Sequence, residues 1–120
     1  MGVVHHSNTV RYLELARVVL LEEHDVPYTW YIENGIHFAV TRVEVDYLES
    51  IRFDDTVDVV VWIDWVRGAS MRIHYTLHVG NRRVAVAATE HASIDEEGRV
   101  RRIPKERRSA LRALAPAASA

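Results

Sequence analysis

The chain has 120 residues, of which 48% are hydrophobic, with 15 Lys and Arg against 17 Asp and Glu. This length suits one domain of an ordinary globular protein. The absence of cysteine excludes disulfides, thiolate metal sites and a cysteine nucleophile, and it favours a cytoplasmic location. No apolar stretch is long enough to span a membrane and the first residues lack a secretory signal pattern, so we expect neither a span nor a leader.

Charge is unevenly distributed along the chain. Residues 99–112 contain seven basic residues and one acidic residue, which leaves residues 1–98 with a net charge of −8. Such a basic segment could meet phosphates or the acidic face of a partner subunit, or form a solvated amphipathic tail. Nucleic acid is not an expected partner, because no aromatic residue lies among the arginines and the acidic body would repel a polyanion.

The first predicted element is a helix from Asn8 to about His24. Its apolar residues recur at three- and four-residue steps, and further apolar residues fill most of the remaining circumference. This pattern is typical of a buried helix. Ser7 or Asn8 is expected as the N-cap. The helix is expected to end at Asp25-Val26-Pro27, because proline disfavours helix in the residue before it.

Four strands are predicted to follow, each indicated by alternating apolar and polar residues. Their ranges are 39–47, 57–65, 71–79 and 84–94. Tight turns at Arg67-Gly68-Ala69 and Gly80-Asn81 favour an antiparallel sheet. A short helix is expected over 104–114. One helix covered by a sheet is an α+β architecture, expected to form a single domain over residues 1–114, with 115–120 as a disordered tail.

The last predicted strand has an apolar face that one charged residue interrupts. The interruption comes from Glu90. The residues assigned to this face are Val84, Val86, Ala88, Ala92 and Ile94. We expect this face to pack against the helix.

The segment Gly2–Arg17 carries the strongest functional signal. A turn of small residues and histidines runs directly into the helix, so unpaired backbone N–H groups and the positive end of the helix dipole face the space in front of it. Such donors stabilise the oxyanion of an acyl-transfer reaction. His6 is a candidate base or hydrogen-bond partner, or it only orders the turn. Asn8 could orient substrate or water, or cap the helix.

This segment resembles the active-site turn and central helix of the hot-dog-fold acyl-CoA thioesterases, in the 4-hydroxybenzoyl-CoA thioesterase-like family. The matching positions are Gly2, Val3, Val4, His6, Asn8, Glu14 and Arg17. Similar segments at 35–55 and 68–89 extend the likeness to about Pro104. The resemblance implies a hot-dog fold, in which a curved antiparallel sheet wraps around one central helix, here without the family's first strand.

The resemblance also implies an enzyme that hydrolyses an acyl thioester to a free carboxylic acid and CoA, with no cofactor. It implies a homodimer, or a dimer of dimers (a homotetramer), with sites at the subunit contact, which suits a small domain with exposed strand edges. The carrier is either CoA or acyl carrier protein. The alternative is a non-catalytic module that binds acyl thioesters or supports assembly. A dehydratase is not favoured, because no hydratase-type motif is present.

The chain departs from the family pattern at three positions. His5 and Thr9 stand where tyrosine is usual. The family also has an aspartate three residues before the glycine, at a position that would fall two residues before Met1. We expect a longer natural chain to supply that aspartate and the first strand. Within residues 1–120, Glu14 or a water molecule bound by His6 would act as the base.

The candidate site residues divide into two groups. Those expected to act in catalysis are His6, Ser7, Asn8 and Glu14. Those expected to bind substrate are Val4, His5, Thr9, Arg17, Arg67, Ser70 and Arg72. Glu14 and Arg17 are spaced for a structural ion pair on the helix, and this interpretation is favoured over catalysis. Arg67 and Arg72 are either ligands for CoA phosphates or solvated arginines.

Two histidines, His74 and His78, lie four residues apart on a predicted strand. In a helix this spacing would suit one metal ion, whereas on a strand it separates the side chains by about 13 Å. We therefore predict no metal site and expect both histidines on an exposed face.

Overall fold

The computed structural model describes residues 6–52 and 54–114, with side chains described from Thr9 onward. The elements are α1 (His6–His24), α2 (Tyr28–Glu33), β1 (His37–Tyr47), β2 (Asp58–Val66), β3 (Ser70–Val79), β4 (Arg82–Ile94) and α3 (Lys105–Arg112). The tail predicted for 115–120 lies outside the described residues. No helix in the described ranges combines the length and apolar character needed to cross a membrane.

The four strands form one antiparallel sheet in the order β1-β4-β3-β2. The turn between β3 and β4 contains Gly80, whose φ of 59° lies in the left-handed region that glycine adopts without steric cost. A long helix against one face of this sheet completes the arrangement. The predicted α+β class and antiparallel pairing are confirmed.

The core lies between α1 and one face of the sheet. Leu13 of α1 packs with Ile73, Tyr75 and Leu77 of β3, and each of these side chains is at most 1% exposed. Burial of each such side chain contributes about 1.5–3 kcal/mol relative to leaving it in water. The packing therefore fixes α1 along the sheet, with its inner side in the core.

The helix α1 differs from the prediction in two respects. It begins at His6, so Ser7 and Asn8 lie in its first turn, and the expected N-cap at either residue is wrong. It is also not buried all round, because Leu15, Val18 and Val19 are 65%, 50% and 51% exposed. One sheet face can cover only one side of a helix, so no layer formed by residues 6–52 and 54–114 covers the outer apolar residues.

The face of β4 that packs on α1 is opposite to the predicted one. Antiparallel pairing places Ala87 opposite Tyr75, and the side chains of directly opposed residues point the same way. Since Tyr75 is buried under α1, the odd-numbered residues of β4 from Ala85 to Ser93 face the helix, whereas Val84, next to a register shift in the strand, is also in the core. The even-numbered set from Val86 to Ala92, including Glu90, therefore lies on the outer face. The inner positions carry small or polar side chains, which the alternation rule assigns to solvent.

The basic C-terminal segment is docked on the domain through α3. Leu111 is 1% exposed, and Arg107 donates from Nη1 to Asp25 Oδ1 over 2.7 Å. The hydroxyl of Tyr31 donates to the other oxygen of the same carboxylate, which is itself fully buried. The interpretation of this segment as a solvated tail is therefore wrong. The helix α2, which carries Tyr31, was not predicted; it begins directly after Pro27, whose fixed φ suits a helix start.

Candidate active site

The N-terminus of α1 lies where the sequence predicts the oxyanion site. Since the helix begins at His6, its first four backbone N–H groups have no acceptor within the helix. They carry the positive end of the helix dipole. The side chains of His6, Ser7 and Asn8 lie outside the described residues, as do Val4 and His5 entirely. Their predicted roles stay predictions.

Thr9 adds a polar group on the inner side of this helix end. Its side chain is 0% exposed, and its Oγ1 finds no hydrogen-bond partner among residues 6–52 and 54–114. A buried hydroxyl without a partner costs about 1–3 kcal/mol. Thr9 therefore offers an unused donor and acceptor close to the start of α1.

The predicted ion pair between Glu14 and Arg17 is not formed. Glu14 is exposed, whereas Arg17 is half-buried and turns towards the sheet. The spacing would allow the pair, but the side chain of Arg17 turns inward towards β4 while Glu14 faces solvent. Within the described part of the chain, no carboxylate pairs with Arg17.

Arg17 instead meets a buried polar chain on β3 and β4. The Nη1 atom of Arg17 lies 3.5 Å from Nε2 of His91. The same Nε2 lies 2.8 Å from the hydroxyl of Thr89, which lies 2.7 Å from the hydroxyl of Tyr75. A guanidinium can only donate, so Nε2 is the acceptor, Thr89 donates to it and Tyr75 donates to Thr89. This series of hydrogen bonds was not predicted from the sequence, because the opposite face of β4 was assigned to the core.

The side chains of His91, Thr89 and Tyr75, to which Arg17 is joined, are all neutral at pH 7. Burial, together with the positive charge of Arg17, lowers the pKa of His91 to about 4. Burial raises the pKa of Tyr75 above its ordinary value. The guanidinium of Arg17 therefore faces neutral hydrogen-bonding groups on β3 and β4.

Two cavities flank α1. The first, which we call the Arg17 cavity, has a volume of about 260 Å³ and lies between α1, α2 and the start of β1. Its lining residues are Arg17, Val18, Leu21, Glu22, Tyr28, Phe38 and Met71. The second, which we call the Val19 groove, has about 340 Å³ and lies between α1 and β2. Its lining residues are Tyr12, Leu15, Ala16, Val19, Val57, Val59 and Val61.

Arg72 lies on the outer face of the sheet. Its Nη1 donates to Glu90 over 2.6 Å, its Nη2 to Glu44 over 3.1 Å, and its Nε lies 3.3 Å from Asp64. Three carboxylates thus surround one guanidinium. This arrangement links all four strands. The nitrogen atoms of Arg72 that a CoA phosphate would need are already paired with carboxylates.

Arg67 and Ser70 lie at the β2–β3 turn, where Arg67 stacks on Trp65 with its guanidinium carbon 3.9 Å from the ring centre. Arg112 of α3 donates to the neighbouring carbonyl oxygen of Val66 over 2.9 Å. Since α3 also binds the C-terminal end of α1 through Asp25, this turn lies near that end of the helix. A helix of 19 residues is roughly 28 Å long. Arg67 and Ser70 are therefore distant from the start of α1 within one chain.

His74 and His78 lie on the outer face as predicted, but both are half-buried rather than exposed. The ring of His74 stacks on Trp62 with centroids 4.8 Å apart, and His78 contacts the hydroxyl of Thr76. Over the described residues, no group of three or more candidate ligands is placed to hold a metal ion.

Comparison with known proteins agrees with this fold. A family model described as the thioesterase-like superfamily matches residues 1–113. The crystal structure of hypothetical protein TT1821 from Thermus thermophilus is 30% identical, covers 97% of this chain and 87% of that chain, and has a TM-score of 0.85. The acyl-CoA thioester hydrolase YbgC of Escherichia coli is 30% identical over 70 residues, which are 58% of this chain and 52% of that protein.

A further solved structure supports the fold alone. The DHNA-CoA thioesterase from Staphylococcus aureus has a TM-score of 0.85 at 24% identity, over 95% of this chain and 82% of that chain. The predicted family resemblance and the hot-dog fold are confirmed.

Proposed function

Because this chain belongs to the thioesterase-like superfamily, we propose that it hydrolyses acyl-CoA thioesters to a free carboxylic acid and CoA. The observation that carries the proposal is the start of α1 at His6, within the stretch of sequence that bears the family motif. The free amides of the first helical turn are the donors that such a reaction needs. We place the reaction in the cytoplasm, as the cysteine-free composition predicts.

In the proposed reaction, the carbonyl oxygen of the thioester lies against the first amides of α1. A water oxygen bonds to the carbonyl carbon while a base takes one proton from the water, and negative charge develops on the carbonyl oxygen. The C–S bond then breaks and CoA leaves as its thiolate, which takes up a proton. Thiols ionise near pH 8.5, about seven units below water, so departure needs little assistance.

His6 is the preferred base among the residues of this chain. It lies in the first turn of α1, whereas Glu14 lies about 12 Å further along the helix axis. Near a helix N-terminus the cationic form of histidine is disfavoured, so His6 would be neutral and able to accept a proton. Ser7, Asn8 and Thr9 would orient the thioester or the attacking water.

We propose that the enzyme is a homodimer, or a dimer of dimers, with sites at the subunit contact. Two features support this assembly. The outer side of α1 exposes Leu15, Val18 and Val19, an apolar surface that a soluble monomer seldom leaves open. In addition, Arg67 and Ser70 lie near the opposite end of α1 from His6, so they would reach substrate bound at a helix start only from a second copy. CoA or acyl carrier protein would then lie across the two subunits.

The test is release of thiol from a panel of short, long and aromatic acyl-CoAs and acyl carrier protein thioesters. We expect turnover, with a loss of about 100-fold in kcat for His6→Ala. His24→Ala is the matched control, because His24 is an exposed histidine at the other end of α1, and it should retain full activity. Binding of thioesters without thiol release, unchanged in His6→Ala, would contradict the proposal and favour a non-catalytic binding module.

A further inference from the structure

Among the residues that the structure describes, no anionic partner lies against the half-buried guanidinium of Arg17. Its polar neighbours are His91, Thr89 and Tyr75, all of them neutral, and no carboxylate in the described ranges forms an ion pair with it. Cations removed from water are normally paired with an anion. Because its contacts to His91 and to the hydroxyl of Tyr75 occupy only some of its five N–H groups, Arg17 retains unused donors.

Arg17 also lines a largely apolar cavity, together with Leu21, Phe38 and Met71. Met71 is 0% exposed and lies directly opposite His91 in the β3–β4 ladder. The lining residue Met71 and the polar partner of Arg17 are therefore neighbours on the inner face of the sheet. The cavity thus combines a hydrocarbon surface with one positive charge.

The acidic residue of the cavity lies on its exposed side. Glu22 is exposed, and its Oε1 accepts the backbone N–H of Tyr28 over 3.4 Å. The hydroxyl of Tyr28 accepts the backbone N–H of Phe38 over 3.0 Å. These contacts hold the rim of the cavity and leave the guanidinium of Arg17 without a neutralising group.

We propose that the Arg17 cavity binds a carboxylate on a short hydrocarbon, with the carboxylate against Arg17 and the hydrocarbon against Leu21, Phe38 and Met71. The planar guanidinium can donate two parallel hydrogen bonds to a carboxylate. The volume of the Arg17 cavity, about 260 Å³, lies just below the range of about 300–1,000 Å³ for pockets that bind drug-sized ligands. A cavity of this size suits a small acid. The site deepens the proposed function, because thioester hydrolysis releases such acids, but the binding itself does not depend on turnover.

The carboxylate has two sources within the proposed reaction. One is the free acid released as product. The other is a carboxyl group at the far end of an acyl chain that is still attached to CoA. Both present the same chemistry to Arg17, and a comparison of substrates distinguishes them.

The first experiment measures binding to the full chain by calorimetry at pH 7, with hexanoate and hexan-1-ol as the probes. The two compounds share a hydrocarbon chain and differ in charge. We expect hexanoate to bind about tenfold more tightly or better, because a charge-assisted hydrogen bond separates them. Arg17→Met should remove this difference while it keeps the packing of the side-chain stem. Arg17→Lys should retain part of it.

Arg11→Met is the matched control, because Arg11 is an exposed arginine on the same helix. It should leave the preference for hexanoate unchanged. Equal affinity of the unaltered protein for hexanoate and hexan-1-ol would overturn the proposal, and so would a preference that persists in Arg17→Met. These outcomes need no variant to turn over substrate, so they are distinct from a failure of thioester hydrolysis.

The second experiment identifies the source of the carboxylate. If Arg17 binds the far end of the acyl chain, adipoyl-CoA should have a kcat/KM about tenfold above that of hexanoyl-CoA, and Arg17→Met should abolish the difference. If Arg17 binds the released acid, hexanoate should inhibit turnover and adipoyl-CoA should show no advantage. The proposal would be overturned if adipoyl-CoA had no advantage and hexanoate also failed to inhibit turnover.

Discussion

The two flanks of α1 are built from the same helix but differ in chemistry. The Val19 groove is open and lined by aliphatic side chains with one tyrosine, and Leu15 at its edge is 65% exposed. The Arg17 cavity holds a cation above a neutral buried chain of hydrogen bonds. An exposed aliphatic groove is best covered by protein, whereas an enclosed cavity with one unpaired charge suits a small ligand. The difference assigns assembly to one flank and ligand recognition to the other.

The largest expected effect comes from removing the ion pair at the C-terminal end of α1, which supports both flanks. Arg107→Met leaves the carboxylate of Asp25 fully buried without its cation. We expect a loss of about 3–5 kcal/mol in the free energy of unfolding, measured with denaturant. The double variant Arg107→Met with Asp25→Asn should recover much of this loss. Arg99→Met, which removes an exposed pair with Asp95, should cost at most about 1 kcal/mol, and an equal cost for both single variants would contradict the account.

The next effect concerns only the Arg17 flank and depends on pH. The pKa of His91 is about 4 in the folded chain, against 6.5 for an unperturbed histidine. Between these values the unfolded chain binds a proton that the folded chain does not, so stability falls as pH drops from about 6.5 to 4. The pKa difference corresponds to about 3 kcal/mol. Unfolding titrations over this range should show a smaller decline for His91→Gln, and an unchanged decline would refute the assignment.

A smaller effect is expected on the Val19 groove. Val19→Glu introduces a charge into the surface proposed for the subunit contact, and we expect it to weaken the dimer by about 2 kcal/mol, or roughly thirtyfold in Kd. Light scattering after size exclusion would measure this change. Glu23→Gln serves as the control, because Glu23 is exposed on the same helix outside both cavities. Assembly that is unaffected by Val19→Glu would place the contact elsewhere.

An effect of similar size is expected within the buried hydrogen bonds of Tyr75, Thr89 and His91. Thr89→Val removes the hydroxyl that joins Tyr75 to His91 at nearly constant volume. The two remaining groups lose a partner, and we expect a cost of about 1–3 kcal/mol, seen as a lower midpoint of denaturant unfolding. Thr41→Val is the comparison, because Thr41 makes its hydrogen bond on an exposed edge and should change the midpoint little. An unchanged unfolding midpoint in Thr89→Val would mean that these buried hydrogen bonds do not stabilise the fold.

The parts of the fold that depend on local sequence were predictable. The end of α1 shortly before Pro27 and the turn at Gly80 follow from backbone restrictions of single residues, and the strands follow from their alternation. The face of β4 was not predictable in this way. Its inner positions include Thr89 and His91, which bond to each other and to long-range partners on β3 and α1.

The candidate site shows the same division. The helix that follows the motif could be predicted from the sequence because its apolar periodicity is a local feature, although it begins at His6 rather than Asn8. The direction of the Arg17 side chain could not be predicted, because spacing alone favours a pair with Glu14. Its observed partner, His91, lies 74 residues away in the sequence. Likewise, one side of α1 is exposed because a single sheet covers only the other side. The apolar periodicity of the helix does not reveal how many sheets or helices pack against it.

The most direct test of the account uses an acyl-CoA analogue in which a methylene group replaces the thioester sulfur. Binding of this ketone should shift the backbone amide resonances of Ser7, Asn8 and Thr9 more than any others, as hydrogen bonds form to its carbonyl oxygen. Shifts confined to the outer face around Arg72, with the first turn of α1 unaffected, would contradict the claim that this helix end holds the reacting group.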